Sequence, residues 1–256
     1  MTAKTNVLPQ LAVVVPVHNE AGNIAPLIGE VSQSLDGRYD YEIVYVDDGS
    51  SDSTAAELGQ AAARFPALRV ITHRRRAGQS AAIWTGVQAA RAPVIATLDG
   101  DGQNDPADIP RLLGELDKAR DKTLLLVTGH RALRRDTWAK RISSRIANGV
   151  RSRLLGDDTP DTGCGLKVFA RAAFLDMPRF DNMHRFLPAL MLRRGGAVIS
   201  VPVNHRARGR GTSNYGVLDR LGVGIVDLLG VMWLLRRGTV PDIEADAEDS
   251  DEEKDR

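Results

Sequence analysis

The chain is poor in cysteine, in aromatic residues and in long apolar runs. Its single cysteine, Cys164, excludes an internal disulfide framework and a multi-cysteine zinc site, and it is typical of a reducing compartment. Aromatic residues make up only 5% of the 256 residues, which leaves few stacking platforms for nucleic-acid bases. No run of 18 or more apolar residues occurs, so we expect no membrane-spanning helix. The first ten residues lack the charged-then-apolar layout of a secretory signal.

Charge is nearly balanced overall but unevenly distributed. The formal net charge is +1, yet residues 242–256 contain nine acidic and two basic residues, a net of −7, which leaves +8 for the rest. Arginines dominate that remainder, and such a body favours anionic partners such as phosphates or an acidic membrane surface. The acidic tail over 239–256 is expected to be disordered.

Apolar runs alternate with helical patterns over the first 130 residues. Leu11 to Val17 and Tyr41 to Val46 are continuous apolar or β-branched runs, typical of strands that are covered on both faces. Further strands are predicted at 68–72 and 93–98, and helical periodicities at 24–35, 50–65, 78–91 and 105–116. The pattern predicts an α/β fold with a mostly parallel central sheet and helices on both faces, in which ligands bind beyond the carboxyl ends of the strands.

The second half of the sequence is less regular. We predict a helix over 137–155 and strands over 163–170 and 197–203. Residues 221–235 are an apolar stretch flanked by arginines, too short to cross a bilayer, and they predict a helix at the membrane interface. A helix in the core or in a subunit contact is the alternative. The expected organisation is an extension over 1–10, one main domain over 11–216, the apolar helix within 217–238 and the acidic tail.

Three polar motifs directly follow predicted strands. The segment 16–20 (PVHNE) follows the first strand, and 47–52 (DDGSSD) follows the second, with three carboxylates in six residues. Such crowding is costly unless a cation or several donors bind there. Asp99-Gly100-Asp101 follows the fourth strand, where residues two apart point the same way. Two carboxylates so placed can hold one hard divalent cation, while the glycine lets a diphosphate approach closely.

A later arginine cluster is suited to phosphate. Arg206, Arg208 and Arg210 alternate with small residues, and arginine forks match phosphate oxygens. A phosphomonoester is largely dianionic at pH 7, so as a nucleophile it needs positioning, whereas a sugar hydroxyl needs a general base. A solvated basic loop is the alternative. His184 is interpreted as structural, and Arg185 as a phosphate contact.

Together these motifs resemble the family 2 glycosyltransferases, which have the GT-A nucleotide-sugar-binding fold. The resemblance covers roughly residues 11–216. Within that family, 161–167 (DTGCGLK) and 206–213 (RARGRGTS) are similar to the polyprenyl-phosphate branch, which includes dolichyl-phosphate mannosyltransferase. The resemblance implies inverting transfer of a sugar from a UDP- or GDP-sugar to a polyprenyl phosphate, with Mg²⁺ or Mn²⁺ as cofactor, at the cytoplasmic face of a membrane.

The resemblance also assigns roles to residues. The nucleotide sugar would contact Pro16, Asn19, Glu20, Asp48, Asp99 and Gln103, and the metal would be held by Asp99 and Asp101. Asp101, Asp161 and Arg208 are the candidate catalytic residues, with Asp161 acting as a base or as an orienter of the acceptor. Arg208 with Ser213 matches the family's phosphate-binding motif. Arg185 and Arg206 are further candidates for the acceptor phosphate on the basis of their charge. Two departures are His18, where an aromatic residue is more usual, and Asn214, where many members carry lysine.

Two rival functions fit the same sequence. One is a family 2 transferase with a soluble or polysaccharide acceptor, which would need a carboxylate base and could dispense with the arginine cluster. The other is a catalytically idle scaffold subunit, which the presence of Asp99 and Asp101 disfavours. A membrane-protein partner and a homo-oligomer stay open, and no nucleic-acid partner is expected.

Overall fold

A computed structural model describes residues 8–131, 149, 151–207 and 217–237. The strands are β1 (Leu11–Val17), β2 (Tyr41–Asp47), β3 (Leu68–Thr72), β4 (Val94–Thr97), β5 (Leu125–His130), β6 (Lys167–Ala170) and β7 (Ala197–Pro202). The helices are α1 (Ile24–Leu35), α2 (Thr54–Arg64), α3 (Gln79–Ala89), α4 (Ile109–Lys118), α5 (Arg171–Leu175), α6 (Leu187–Arg193) and α7 (Val217–Leu235). Short 3₁₀ turns occupy Pro106–Asp108 and Met183–Arg185.

The strands form one sheet of seven, in the order β3-β2-β1-β4-β6-β5-β7. Parallel pairing joins β3, β2, β1 and β4, and also β5 and β7, whereas β6 runs antiparallel to both β4 and β5. The mostly parallel sheet predicted from the sequence is therefore confirmed. Successive strands run outward from β1 to β3, and the chain then returns to place β4 on the other side of β1. This reversal is a topological switch point, where the carboxyl ends of neighbouring strands open a crevice.

Each face of the sheet carries its own hydrophobic core. Alternate residues of β1 divide between them: Leu11, Val13 and Val15 pack with α1, α2 and α4, whereas Ala12 and Val14 pack with α3, α5 and α6. All five side chains are at most 1% exposed. A strand buried on both faces needs apolar side chains in both directions, which explains why the sequence of β1 is continuous rather than alternating.

Several elements of the second half differ from the sequence prediction. No strand was expected at β5, and a longer strand was expected at β6. No helix was expected at α5 or at α6. The predicted strand over 163–170 begins only at Lys167, and the residues that precede it form a turn and a loop. Of the predicted helix over 137–155, residues 151–155 are helical, and most of the remainder lies outside the described residues. The predicted acidic tail, and most of the predicted N-terminal extension, also lie outside them.

The apolar helix α7 has one side in the core and one side in solvent. Val231 is 1% exposed and belongs to the second core, and Leu228 and Leu235 pack against that core. On the outer side, Leu229 is 59% and Trp233 62% exposed. Within the described ranges, no helix combines the length and the hydropathy needed to cross a bilayer.

The packing of α3 on β1 predicts the effect of a small substitution. A Cβ added at Gly86 would overlap Cγ1 of Val14 and lie 3.2 Å from Cγ2 of Val46. Overpacking of this kind typically costs about 1–3 kcal/mol, which exceeds the ~1 kcal/mol that alanine gains over glycine in a helix. We expect Gly86→Ala to lower the free energy of unfolding, measured by urea denaturation.

The matched control is Gly59→Ala in α2, at an exposed position where a Cβ has nothing within 4 Å. It should raise the free energy of unfolding by up to ~1 kcal/mol. Equal stabilisation by both substitutions would contradict the close contact between α3 and β1.

Candidate active site

A cleft of about 470 Å³ opens at the switch point, beyond the carboxyl ends of β1, β2 and β4. Seven of the residues predicted for the site lie in its wall: Pro16, Asn19, Glu20, Asp48, Asp99, Asp101 and Arg185. The wall also contains side chains to which the sequence prediction gave no site role, among them Arg76, Gln79, Lys167 and His184. The three motifs that follow β1, β2 and β4 are therefore brought together, as the strand-end rule predicts.

The loops after β1 and β2 are tied to each other by hydrogen bonds. The backbone N–H of Asn19 donates to Ser50 Oγ (3.0 Å), and the backbone N–H of Ser51 donates to Asn19 Oδ1 (2.8 Å). Asn19 has a φ of 56°, a left-handed conformation that asparagine tolerates better than most residues. The hydroxyl of Thr54 accepts a further hydrogen bond from the backbone of Glu20 at 3.0 Å. These contacts fix the two loops as one wall of the cleft.

Asp48 is a heavily hydrogen-bonded carboxylate of this wall. Its Oδ1 lies 2.7 Å from His73 Nδ1 and accepts from the backbone N–H of Ala77 (2.8 Å), and its Oδ2 accepts from the backbone N–H of Gly78 (2.7 Å). Burial alone would raise the pKa of Asp48, but these hydrogen bonds outweigh it and hold the pKa below its usual value. The ionised carboxylate thus fixes the segment that leads into α3.

Asp99 and Asp101 form the floor of the cleft. Burial raises the pKa of Asp99 to about 6, and the neighbouring charge of Asp101 acts in the same direction. Gln79 Nε2 donates to Asp99 Oδ1 at 2.8 Å, and a Cβ added at Gly165 would overlap the Asp99 carboxylate. The Asp101 carboxylate accepts from the backbone N–H of Gln103 at 3.1 Å. Two crowded carboxylates at the floor of an open cleft match the oxygen ligands that a hard divalent cation prefers.

Lys167 supplies a buried positive charge beside this pair. It is 3% exposed, and its Nζ donates to the backbone carbonyls of Cys164 and, at 3.3 Å, of Thr162. Burial lowers the pKa of the ammonium, while the charge of Asp99 opposes that effect. The lysine therefore holds the loop that precedes β6 in place and offsets part of the negative charge of the floor.

Asp161 is paired with an arginine rather than left free. Arg131 Nε and Nη2 donate to its two carboxylate oxygens at 2.6 and 2.7 Å, in a bidentate arrangement. A Cβ added at the cleft-lining Gly163 would lie 3.1 Å from Arg131 Nη2. The pair therefore borders the cleft, and the acid fixes the orientation of the guanidinium.

The predicted acceptor-binding residues are only partly brought to the cleft. Arg206 Nη1 and Nη2 form ion pairs with Glu30 and Asp105, each at 2.7 Å, and Arg206 does not line the cleft. Its backbone lies near the loop that follows Asp101, since its N–H donates to the carbonyl of Gln103 at 2.9 Å. Gln103 itself is outside the cleft lining. Arg208 and Ser213 lie outside the described residues.

Sequence reasoning missed the partners that organise the site. Lys167 could have been found, because it is a lone charge at the start of a short apolar run, and a buried charge requires partners. Arg131 was not singled out among the arginines that dominate the positively charged part of the chain. Gln79 carries no signal in the sequence, since an amide at the start of a helix is common on protein surfaces.

Comparison with known proteins agrees with this geometry. A family model described as Glycosyl transferase family 2 matches residues 12–177. The chain is 37% identical over 235 residues to a dodecaprenyl-phosphate galacturonate synthase of Rhizobium johnstonii, which covers 89% of this chain and 68% of that protein. It is 36% identical over 216 residues to an undecaprenyl-phosphate 4-deoxy-4-formamido-L-arabinose transferase of Edwardsiella ictaluri. This match covers 83% of this chain and 65% of that protein. The chain thus spans about two thirds of the length of these relatives.

A solved structure shares the fold. Glucosyl-3-phosphoglycerate synthase from Mycobacterium tuberculosis, in complex with Mn²⁺, UDP and glucosyl-3-phosphoglycerate, superposes with a TM-score of 0.67. The superposition covers 91% of this chain and 81% of that one, at 22% sequence identity. At this identity the likeness concerns the fold alone.

The hydrogen bonds of Asp48 generate a prediction about stability. In Asp48→Asn an amide nitrogen replaces one carboxylate oxygen and faces one of the backbone N–H donors. That donor is then left without an acceptor, which lowers the free energy of unfolding by about 1–3 kcal/mol. The native pKa lies below the unfolded value of about 3.9. The ionised carboxylate thus stabilises the fold fully at a pH above the unfolded pKa. This stabilisation is lost as the pH falls through the native pKa. The stability difference between the unaltered protein and the variant should narrow below about pH 4.

Urea denaturation at pH 7, 5, 4 and 3 measures this difference. Asp40→Asn, at an exposed carboxylate, is the matched control and should change stability by less than about 0.5 kcal/mol. A difference between the unaltered protein and Asp48→Asn that stays constant over this range would contradict the role given to the ionised carboxylate.

Proposed function

The chain belongs to glycosyl transferase family 2, and we propose that it transfers a sugar from a nucleoside diphosphate sugar to a polyprenyl phosphate. Membership makes it a sugar-transferring enzyme. The names of its relatives support the lipid phosphate acceptor, because both describe proteins that act on polyprenyl phosphates. Since the chain spans about two thirds of those relatives, the acceptor is a proposal for this protein.

One observation carries the proposal. The carboxylates of Asp99 and Asp101 lie at the floor of the switch-point cleft, and the cations Lys167 and Arg131 lie close enough to act on the charge of Asp99. Such a cleft can hold a divalent cation at the carboxylates, with fixed positive charges beside it. A reaction in which both the leaving group and the nucleophile are phosphates requires that combination.

The donor set fits Mg²⁺ or Mn²⁺. Asp99 and Asp101 would hold the ion, and the absence of a side chain at Gly165 leaves room for the Asp99 carboxylate. When bound, the ion would neutralise charge on the leaving diphosphate. The mycobacterial structure of the same fold contains Mn²⁺ together with UDP, which supports this assignment.

The nucleoside would lie against the wall formed by the loops after β1 and β2. Pro16, Asn19 and Glu20 line this part of the cleft with Asp48. Oδ1 of Asp48 already accepts two hydrogen bonds, whereas Oδ2 accepts one from Gly78. A carboxylate oxygen has two lone pairs, so we propose that Oδ2 accepts a hydrogen bond from the ribose or the base.

In the proposed reaction an oxygen of the acceptor phosphate bonds to the anomeric carbon of the sugar. The bond from that carbon to the diphosphate oxygen breaks, and its electron pair leaves with the nucleoside diphosphate. A phosphate dianion needs no proton removed before it attacks. Asp161 then acts as a positioning residue, because it holds the Arg131 guanidinium at the cleft edge.

The ion pair between Asp161 and Arg131 argues against a hydroxyl acceptor. A sugar hydroxyl would require a general base, and Asp161 is the base candidate identified from the sequence. Both of its carboxylate oxygens receive hydrogen bonds from Arg131 at 2.6 and 2.7 Å. Freeing it for proton transfer would leave a largely buried guanidinium without its partner. The phosphate acceptor avoids that cost.

We propose that α7 holds the protein at the cytoplasmic face of a membrane as a peripheral protein. Its outer side exposes four large apolar side chains, Ile225, Val226, Leu229 and Trp233, and the exposed Arg236 and Arg237 follow it. An apolar helix side next to basic residues is suited to an anionic bilayer surface. This placement would bring the cleft to an acceptor whose prenyl chain lies in the bilayer.

The function is tested by the transfer of radiolabel from UDP- and GDP-sugars into lipid that is extracted with organic solvent. Purified protein is mixed with undecaprenyl or dolichyl phosphate and with Mn²⁺ or Mg²⁺. We expect labelled lipid, loss of label with EDTA, and at least about a hundredfold lower rate for Asp101→Asn, because a metal ion supplies several kcal/mol of stabilisation. The labelled donor would also identify the nucleoside.

Asp117→Asn, at a surface carboxylate paired with Lys122, is the matched control and should keep full activity. Label that enters only water-soluble products would contradict the lipid acceptor. Lack of binding of any nucleotide sugar would favour the scaffold function instead.

The membrane contact is tested by substitutions on the outer side of α7. Leu229→Gln combined with Trp233→Gln removes two exposed apolar side chains, and the buried side of the helix stays intact. Because each such side chain contributes about 1.5–3 kcal/mol when it is buried, we expect at least about a tenfold weaker association with phosphatidylglycerol vesicles in a flotation assay.

The control for this assay is Leu8→Gln, at an apolar side chain that is 63% exposed outside α7. It should float as the unaltered protein does. Flotation that is the same for both variants and the unaltered protein would contradict a bilayer contact through α7.

A further inference from the structure

A serine and a histidine far apart in sequence form a pair on the cleft wall. Ser80 lies in the first turn of α3, and His184 lies in the 3₁₀ turn before α6. Ser80 Oγ is 2.7 Å from His184 Nδ1, and the backbone N–H of His184 donates to the same Oγ at 3.2 Å. Ser80 is 6% exposed, so neither of its contacts is exchanged freely with solvent.

With these two hydrogen bonds, the imidazole can carry its single ring hydrogen on Nε2. The Ser80 hydroxyl accepts the backbone N–H with a lone pair, so its own hydrogen is available for Nδ1. In the neutral ring the remaining hydrogen is then on Nε2. Burial lowers the pKa of His184 to about 3, and the positive charges of Lys167 and Arg185 act in the same direction. The ring is therefore neutral at physiological pH and has one N–H left to donate.

The free N–H is available to a ligand in the cleft. His184 lines the cleft, and among the described residues no side chain or backbone group is hydrogen-bonded to Nε2. Nε2 is not fully buried, because the buried side-chain nitrogen atoms without a hydrogen-bond partner do not include it. It is therefore reached from the open side of the ring. The serine thus holds one edge of the ring, and the other edge faces space that a substrate can enter.

The position of His184 indicates which part of a donor it would meet. Asp48 follows β2, Asp99 follows β4, and Lys167 begins β6, so these groups succeed one another across the sheet. His184 lies beside Asp99 in this row, because three successive residues, Gly78, Gln79 and Ser80, contact Asp48, Asp99 and His184 in turn. In a nucleoside diphosphate sugar the nucleoside, the diphosphate and the glycosyl unit also follow in that order.

We infer that His184 Nε2–H donates a hydrogen bond to an oxygen of the glycosyl unit of the donor, and that Ser80 is the positioning residue that fixes the ring. This inference rests on the proposed function. A neutral donor binds a sugar oxygen without adding a third positive charge beside Lys167 and Arg185. A site built to hydrogen-bond a hydroxyl discriminates strongly against an analogue that lacks it, so the pair is a determinant of sugar specificity.

The test compares affinities for nucleotides with and without the sugar. The full chain, with Mn²⁺, is titrated by calorimetry with UDP and GDP and with UDP-glucose, UDP-glucuronic acid and GDP-mannose. We expect His184→Ala to weaken the binding of the preferred nucleotide sugar roughly five- to tenfold and to leave the Kd of the matching nucleoside diphosphate unchanged. His184→Gln should recover most of the loss, because the glutamine amide N–H reaches about as far as Nε2.

Ser80→Ala is the second variant and separates positioning from contact. It leaves the imidazole in place but removes the group that fixes its orientation, so it should weaken nucleotide-sugar binding by a smaller factor, again without an effect on the diphosphate. Thermal unfolding of each variant confirms that it is folded before it is titrated.

Three results would overturn the inference or its premise. An equal loss of affinity for the nucleoside diphosphate would show that the ring contacts the diphosphate or only supports the fold. An unchanged affinity of His184→Ala for the nucleotide sugar would exclude the contact. Binding of neither UDP nor GDP by the unaltered protein would contradict the proposed function itself.

Discussion

The site depends on the repulsion between two carboxylates at the end of a buried strand. Asp99 and Asp101 are held close together where burial raises the pKa of Asp99 to about 6, so the two charges are costly without a compensating cation. Lys167 and Arg131 offset this charge in part. The remaining demand is met best by a divalent ion, which would in turn attract a diphosphate.

The sheet topology is what allows the protein to maintain this arrangement. Because β1 and β4 are neighbours at the switch point, the loops after β1, β2 and β4 open into one cleft, and the two cores beneath them hold the strand ends rigidly. The antiparallel strand β6 then brings Lys167 from the opposite direction, so its charge acts on Asp99. In a purely parallel sheet the strand beside β4 would end at the cleft, whereas β6 begins there.

Local patterns predicted the first half of the fold and the carboxylate motifs, because continuous apolar runs and strand-end acids are visible in the sequence. The strand Leu125–His130 was missed, since a short apolar run alone does not distinguish a strand from a buried helix segment. Contacts between segments that are far apart in the chain also could not be predicted from the sequence pattern. Glu30 neutralises Arg206 from 176 positions away, and Ser80 orients His184 from 104 positions away. Such pairs depend on how the helices pack, which no single-sequence pattern encodes.

The central claim, that Asp99 and Asp101 together hold a divalent cation in the switch-point cleft, is tested most directly by anomalous diffraction. Crystals of the full chain would be soaked with Mn²⁺ and UDP or GDP, and data collected at the manganese absorption edge. We expect one strong peak within coordination distance, about 2.5 Å or less, of carboxylate oxygens from both residues. An ordered nucleotide in the cleft with no peak between these carboxylates would contradict it.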